Sequence, residues 1–356
     1  MKIIKLTAGS AEATIKQAVE VLRHGGLVVY PTETVYGVGV DATNPIAVEK
    51  LLQYKSRREG KPLSIAVADQ QMAEQYVQLT EQANQLYQQF LPGPYTIISR
   101  GSGRVAPGVE SEFGTLGIRI SDYPLVIQLV KKLDKPITAT SANASGRKRP
   151  YALADIFDHL SAKQKSLIEL VIDAGELPRN EPSTIIDTTL STPLTVRGKQ
   201  NEKDQVFTTF SDQETRELAG KLMLKYWDQI GKKGLLIGLN GELGAGKTVF
   251  TQGIGQFLKI AEPITSPTYT YLHEYDFSRH GTRGKLYHLD MWKIDTSADF
   301  RQLQMEQLLK PGNVVTVEWW QQVMDFWPNE PNLLLTITEI DEESRKITLK
   351  ERSLNV

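Results

Sequence analysis

Apolar and polar positions alternate between helical and strand-like periods along the first half of the chain. Ile15, Ala18, Val19 and Leu22 recur at helical spacing, and this stripe stops at the glycine pair 25–26. Short apolar runs typical of buried strands lie at 27–30, 63–67, 95–98, 117–120, 137–140 and 170–172, with helical stretches such as 124–133 between several of them. This alternation predicts an α/β domain.

The second half alternates in the same way. Its pattern predicts a helix at 212–229, a buried strand at 235–239, a glycine-rich loop followed by a helix, strands at 269–275 and 285–289, a helix at 297–309, a strand at 313–318 and two C-terminal strands. A second, compact α/β domain is therefore expected.

A polar segment, Gly198–Gln205, is nearly free of apolar residues and separates the two halves. All five tryptophans lie beyond residue 226, which is a compositional step between the halves. We therefore predict an N-terminal domain at 1–198, a linker at 199–206 and a C-terminal domain at 207–356.

Composition limits the chemistry without identifying it. The 356 residues are 40% hydrophobic and 23% charged, with a formal net charge of −1 and no cysteine. Disulfides and thiolate catalysis are excluded, and no compact His/Cys metal cluster is present. No apolar run approaches about 18 residues, so neither a membrane span nor a signal peptide is expected. A cytoplasmic location fits this composition.

The most informative segment is a glycine-rich loop that fits the pattern G-x-x-x-x-G-K-[ST]. Backbone N–H groups in such a loop cradle phosphates at a helix N-terminus. We expect the lysine to reach the β- and γ-phosphates of ATP and the threonine to bind Mg²⁺. The loop consists of Gly241, Glu242, Leu243, Gly244, Ala245, Gly246, Lys247 and Thr248.

Three further features of the second half suit a nucleotide site. Asp290 and Glu318 each end an apolar strand, and Thr268 lies in the rigid turn Ser266-Pro-Thr268-Tyr269. Taken singly, each also has a structural interpretation as a surface acid or an ordinary turn. His288 is interpreted as a buried, hydrogen-bonded core residue rather than a ligand.

Together these motifs resemble the TsaE family, the small ATPase of bacterial tRNA threonylcarbamoyladenosine (t6A) synthesis. The resemblance implies that Thr268 is a switch hydroxyl, Asp290 the metal-side acid and Glu318 the acid required for hydrolysis, with Trp319 next to the nucleotide. It also implies that the metal ion is held by Thr248, Thr268 and Asp290. The chain departs from the family at Trp292-Lys293, where Tyr-Arg is frequent, and at Val249, where a hydroxyl is frequent.

A P-loop kinase or GTPase is the alternative for this half. No N-K-x-D signature follows the loop, which argues against GTP. Arg279 and Arg283 could act as a phosphate lid, but the segment 278–284 is better interpreted as a solvated turn.

In the first half, polar motifs lie in or beside predicted strands, apart from K-S-R, which follows an amphipathic helix. Arg119 lies inside an apolar strand and must face solvent or find an anion, because its charge cannot be buried unpaired. The motifs are P-T-E-T-V-Y-G at 31–37, K-S-R at 55–57, G-I-R at 117–119, T-S-A-N at 140–143, P-S-T-I-I-D at 182–187 and V-R-G at 196–198.

This set resembles the TsaC/YrdC family, which makes threonylcarbamoyl-adenylate, and implies a twisted mixed sheet with helices. By resemblance, ATP and the carbamate contact Lys55, Arg57, Ser141 and Asn143, threonine contacts Thr34 and Arg119, and the phosphates contact Ser183 and Arg197. Lys61 stands where many relatives have His or Asn. The substrates implied are L-threonine, bicarbonate or CO₂, and ATP with Mg²⁺.

A reaction among three anions needs cationic side chains rather than a protein nucleophile, which agrees with the residues present. The alternative for this half is an RNA-binding module. It is disfavoured because the basic residues of 55–61 have no interleaved aromatics.

The two resemblances together predict a fusion of two steps in t6A biosynthesis. The TsaE resemblance implies a partner complex of the TsaB/TsaD type. The tRNA would be the substrate of that complex rather than of this chain directly.

Overall fold

The computed structural model describes residues 1–56, 60–144, 147–198, 204–294, 296, 300 and 305–352. The chain divides into two compact units, Met1–Thr189 with Pro193–Gln200, and Asn201–Val356 with Leu190–Thr192. Residues 199–203 of the predicted linker lie outside the described residues. Gln205 and Val206, at the end of that segment, already belong to a strand.

The N-terminal unit is built on a mixed sheet, which confirms the predicted fold class. It contains both parallel and antiparallel pairs, in the order β1-β9-β2-β3-β8-β4-β7-β6-β10-β11, with β5 paired to β6. The strands are β1 Lys2–Lys5, β2 Val28–Tyr30, β3 Gly37–Gly39, β4 Ser64–Ala66, β5 Val77–Gln78, β6 Tyr95–Gly101, β7 Thr115–Arg119, β8 Ile137–Ser141, β9 Leu170–Asp173, β10 Thr184–Asp187 and β11 Leu194–Arg197.

Helices cover this sheet, and two buried apolar clusters fill the space between them. The helices are α1 Ala11–Arg23, α2 Pro45–Lys55, α3 Gln70–Ala73, α4 Glu81–Phe90, α5 Pro124–Leu133, α6 Leu153–Phe157 and α7 Ala162–Ser166, with a 3₁₀ turn at Ala8–Ser10. The predicted stripe of residues 15–22 is the buried face of α1, and it packs beside α5 in one of these clusters.

Helix α2 has well-defined ends, and these ends place a lysine at the site described below. The Asn44 side chain caps the N-terminus by accepting from the backbone N–H groups of Ile46 and Ala47. The helix ends at Lys55 because Ser56 adopts a left-handed conformation with φ of 43°.

The C-terminal unit has a seven-stranded sheet in the order β12-β18-β17-β13-β16-β15-β14. The four strands β17, β13, β16 and β15 are mutually parallel, and antiparallel strands flank them. The elements are β12 Gln205–Thr209, α8 Asp212–Lys233, β13 Leu235–Asn240, α9 Lys247–Leu258, β14 Leu272–Arg279, β15 Thr282–Asp290, β16 Val314–Glu318, α10 Trp320–Val323, β17 Leu333–Glu339 and β18 Arg345–Glu351. The glycine-rich loop lies between β13 and α9, which confirms its predicted strand-to-helix context.

Three predicted elements differ from the structure. The strand predicted at 269–275 begins at Leu272, because the N–H groups of Thr270 and Tyr271 bond to the Pro267 carbonyl and close a turn. The turn predicted at 278–284 is shorter than expected: β14 and β15 pair up to Arg279 and Thr282, and only residues 280 and 281 form the turn. Of the helix predicted at 297–309, residues 297–299 and 301–304 lie outside the described residues, and Met305–Leu308 is a 3₁₀ turn.

Candidate functional sites

The N-terminal unit brings Lys55, Ser141 and Asn143 into direct contact. The Lys55 Nζ donates to the carbonyl oxygens of Ser141 at 2.7 Å and of Asn143 at 2.5 Å. Only 4% of Lys55 is exposed. The Ser141 hydroxyl donates to the Asn143 amide oxygen at 2.6 Å, and the Asn143 amide nitrogen binds two backbone carbonyls of residues 147–148. A positive charge is thus fixed at the end of β8. Arg57, the fourth residue predicted here, lies outside the described residues.

Thr34 and Arg119 also lie together. The Arg119 Nη2 donates to the Thr34 hydroxyl at 2.8 Å and to the Glu33 carboxylate at 2.5 Å. The anion that the sequence requires for Arg119 is therefore Glu33, whose second oxygen accepts from the Ser121 hydroxyl. The Arg119 Nε is buried and has no acceptor among the residues that the structure describes.

Ser183 and Arg197 form the third predicted pair. The Arg197 guanidinium donates to the Ser183 hydroxyl at 2.8 Å and to its carbonyl at 3.1 Å. Part of Arg197 reaches solvent, yet desolvation by the surrounding protein lowers its pKa, and the charges of Arg119 and Arg149 lower it further. Like charges nearby disfavour a further positive charge, so Arg119 and Arg149 act on Arg197 in the same direction as burial does.

The turn at 31–36 connects the first two groups. Its Thr34 binds Arg119, and Gly37 directly after it pairs with Ser141 across β3 and β8. The sheet register thus gathers motifs that are more than a hundred residues apart in sequence.

Sequence reasoning missed the roles of Glu33, Ser121 and Arg149 in this site. Glu33 belongs to the P-T-E-T motif, and its charge is opposite to that of Arg119, which was an available signal. Arg149 pairs with Glu181 at 3.2 Å and is half exposed. Nothing in its local sequence indicates that it approaches Arg197.

In the C-terminal unit, the P-loop lysine bonds to the backbone of its own loop. The Lys247 Nζ donates to the carbonyls of Gly241 at 2.8 Å and Glu242 at 2.9 Å, and lies 4.2 Å from the centre of the Trp319 ring. Burial lowers the pKa of Lys247, whereas the charges of Glu318 and Asp290 act in the opposite direction. Glycine is needed at 244 and 246, where φ is +81° and +104°.

Glu318 lies directly against the P-loop helix. Its Oε1 accepts from the Thr248 hydroxyl at 2.8 Å and lies 2.8 Å from the His288 Nε2. This contact follows from the register, which places Glu318 opposite Leu239 of the neighbouring strand β13. His288 is fully buried and hydrogen-bonded, as the sequence analysis expected, but its partner is a predicted site residue.

Asp290 is bound by the turn that carries Thr268. Its Oδ2 accepts from the hydroxyls of Thr268 at 2.8 Å and Ser266 at 3.2 Å, and its Oδ1 accepts from the Trp292 N–H at 3.0 Å. Asp290 also faces Glu318 across β15 and β16. The two acids predicted from separate strand ends are therefore neighbours.

The residues present fit a magnesium ion. Asp290 and Glu318 are each 3% exposed. Within the described part of the chain, no lysine or arginine forms an ion pair with either. Two buried carboxylates with the hydroxyls of Thr248 and Thr268 form the hard oxygen set that Mg²⁺ selects. No group of three or more acidic, His or Cys ligands occurs in the described ranges.

Trp319, which was predicted to lie near the nucleotide, packs against Trp292 with ring centres 4.5 Å apart. Three large apolar side chains of the P-loop and the neighbouring turns are exposed: Leu243 at 84%, Tyr269 at 89% and Trp292 at 47%. Leu243 belongs to the P-loop, Tyr269 follows Thr268, and Trp292 lies two residues after Asp290.

Arg345, which the sequence analysis did not single out, ties the β17–β18 hairpin to the P-loop. Its Nε donates to the Ala245 carbonyl at 3.1 Å, and its Nη1 donates to three carbonyls of residues 341–344. A bond to the Ala245 oxygen polarises the peptide whose N–H belongs to Gly246, because hydrogen bonds in series strengthen one another.

Comparison with known proteins assigns each unit to a family. Residues 20–198 match the Sua5/YciO/YrdC family model, described as "Telomere recombination". The chain belongs to this family. Residues 209–347 match the family model of the threonylcarbamoyl adenosine biosynthesis protein TsaE, so the chain is a fusion of the two families. A threonylcarbamoyl-AMP synthase of Vibrio vulnificus is 39% identical over 178 residues, covering 49% of this chain and 94% of that protein.

More distant relatives extend this likeness. A putative threonylcarbamoyl-AMP synthase of Methanocaldococcus jannaschii is 35% identical over 189 residues, which cover 52% of this chain and 86% of that protein. A double variant of Pyrococcus abyssi Sua5 is 26% identical, with a TM-score of 0.53 and coverage of 72% of this chain and 74% of that one. Pyrococcus abyssi Sua5 complexed with L-threonine shares the fold at 22% identity, with a TM-score of 0.52 over 89% of this chain and 92% of that one.

The helices of the described segments include none with the length and apolar character needed to cross a membrane.

Proposed function

We propose that the N-terminal unit makes L-threonylcarbamoyl-adenylate and pyrophosphate from L-threonine, bicarbonate or CO₂, and ATP. The observation that carries this proposal is the contact of Lys55 with the Ser141–Asn143 strand end, in a unit that also joins Arg119 to Thr34 and Arg197 to Ser183. The threonylcarbamoyl-AMP synthases related to this unit support it, since the likeness extends over 94% of the Vibrio protein.

The residues are suited to binding and charge neutralisation. Threonine's amine adds to CO₂ and loses a proton, and a carbamate oxygen then attacks the α-phosphorus of ATP while the bond to pyrophosphate breaks. Arg119 and Thr34 would hold the threonine carboxylate and hydroxyl, which would supply the acceptor that the Arg119 Nε lacks. Lys55, Ser141 and Asn143 would hold ATP and the carbamate. Ser183 and Arg197, with Arg149 nearby, would neutralise the departing phosphates.

The C-terminal unit, in this proposal, binds and hydrolyses ATP. On binding, Lys247 would exchange the Gly241 and Glu242 carbonyls for phosphate oxygens. Mg²⁺ held beside Thr248, Glu318 and Asp290 would offset the charge of the β- and γ-phosphates. The Thr268 hydroxyl reports on the site through its bond to Asp290. Because Glu318 rather than Asp290 contacts Thr248, we assign Glu318 to the metal side as well as to hydrolysis.

We further propose that this unit acts on a threonylcarbamoyl transferase complex of the TsaB/TsaD type, so that tRNA is reached through partners. The exposed Leu243, Tyr269 and Trp292 support a protein partner at the nucleotide site. Co-sedimentation of the chain with such a complex, with and without ATP, tests this. Binding that is unchanged when Tyr269 and Trp292 are both replaced by serine would contradict it.

The decisive experiment measures pyrophosphate release from ATP by the purified chain. Release should require both L-threonine and bicarbonate, and L-serine should support it poorly. Phosphate release that is indifferent to threonine would instead assign all turnover to the C-terminal unit and refute the synthase proposal.

A further inference from the structure

His288 makes a contact that an ordinary core residue would not need. It is fully buried in β15, two residues before Asp290, and its Nε2 lies 2.8 Å from the Glu318 Oε1. The Nδ1 is also buried and has no hydrogen-bond partner among the described residues. Among the residues that the structure describes, the imidazole therefore has one polar contact, which is with a carboxylate of the nucleotide site.

The surroundings decide which nitrogen carries the proton. A hydrogen on Nδ1 would be buried without an acceptor, at a cost of about 1–3 kcal/mol. A hydrogen on Nε2 meets a carboxylate oxygen at hydrogen-bond distance. A hydrogen on Nε2 is thus the arrangement that satisfies this site, and it is donated to Glu318.

The same carboxylate oxygen receives two donors. Oε1 of Glu318 accepts from His288 and from the Thr248 hydroxyl, each at 2.8 Å. Two donors on one oxygen fix the plane of the carboxylate. They also direct the remaining oxygen, Oε2, to other ligands.

We propose that His288 is a positioning residue that fixes Glu318 for the Mg²⁺–ATP complex. The inference deepens the proposed ATPase function and rests on it. Partners that orient a metal-ligating carboxylate typically contribute 10- to 100-fold to metal affinity. His288 should therefore act on the magnesium-dependent part of nucleotide binding and leave the rest unchanged.

The chain offers both a rescue variant and a matched control. In His288→Gln the side-chain amide can still donate to Glu318, whereas His288→Leu keeps the volume and removes the donor. His273 lies directly opposite His288 on β14 but contacts the Thr265 and Tyr275 hydroxyls, each at 3.4 Å. His273→Leu therefore removes a histidine from the same hairpin without touching Glu318.

The test measures the dissociation constant of ATP by tryptophan emission, once with Mg²⁺ and once with EDTA, together with the melting temperature. Mg²⁺ should increase the affinity for ATP by the same factor, within about threefold, in three proteins: the unmodified chain, His288→Gln and His273→Leu. In His288→Leu this tightening should fall at least tenfold, while affinity in EDTA stays within about threefold.

Two results would overturn the positioning role. One is full magnesium-dependent tightening in His288→Leu. The other is equal loss in His288→Gln and His288→Leu with parallel falls in melting temperature, which would make His288 a packing residue. An unmodified chain that binds no ATP in either buffer would refute the proposed ATPase function itself, and the inference with it.

Discussion

Replacing Lys55 by methionine tests the synthase site most directly, because it removes one charge at nearly constant volume. The ammonium is 4% exposed and donates to two carbonyl oxygens. Leaving both without their donor costs about 1–3 kcal/mol each, so the unit should lose about 2–6 kcal/mol of unfolding free energy. Removing one group that stabilises developing negative charge typically slows catalysis by about 10²–10³-fold.

Threonine-dependent pyrophosphate release should therefore fall at least a hundredfold in Lys55→Met. The assay is run below the melting temperature of the variant, and ATP binding by the C-terminal unit serves as an internal check. Lys131→Met, an exposed lysine on α5 of the same unit, is the matched control and should retain full activity. Pyrophosphate release within twofold of the unmodified chain in Lys55→Met would refute the assignment of this charge to the reaction.

Four further predictions use the same protein. Lys247→Ala should abolish ATP binding by the C-terminal unit yet leave threonine-dependent pyrophosphate release intact; loss of both would contradict independent sites. ATP should change tryptophan emission, which arises entirely from residues beyond 226. Because we expect Lys247 to move from the Trp319 ring to the phosphates, Trp319→Phe should remove most of that change. Arg345→Leu should weaken ATP binding about tenfold by freeing the Ala245 carbonyl, whereas the exposed Lys346→Leu should not. Burial raises the pKa of Tyr36 from 10.0 to about 12. As the pH rises, the unfolded state therefore loses this proton first, and the free energy of unfolding should fall between about pH 10 and 12. Urea titrations should show a smaller fall over this range in Tyr36→Phe, and an equal fall in both proteins would count against the prediction.

The fold class could be predicted because its signals are local. The stripe of α1, the helix at 124–133 and the strand before the P-loop each follow from the spacing of neighbouring apolar residues. The hairpin at 272–290 was predicted poorly because its polar ends are stabilised by pairing with the other strand, which sequence periodicity does not report. Domain boundaries at 198 and 206 stay a prediction.

The candidate sites divide in the same way. The P-loop pattern named Lys247, and its position at a strand end named Glu318, whereas Lys55, Ser141 and Asn143 were assigned through the resemblance to the TsaC/YrdC family. The roles carried over by resemblance remain predictions.

Tertiary structure alone decided which of these side chains share a contact. The anion that pairs with Arg119, the approach of Arg149 to Arg197 and the bond from His288 to Glu318 all depend on sheet register or on loops folded between strands. One hydrogen bond joins Arg119 to Glu33, which lie 86 positions apart, and another joins His288 to Glu318, which lie 30 positions apart. The sequence determined which chemical groups are available and on which elements they stand; strand order and register determined which of them meet, because distance in space is independent of distance along the chain.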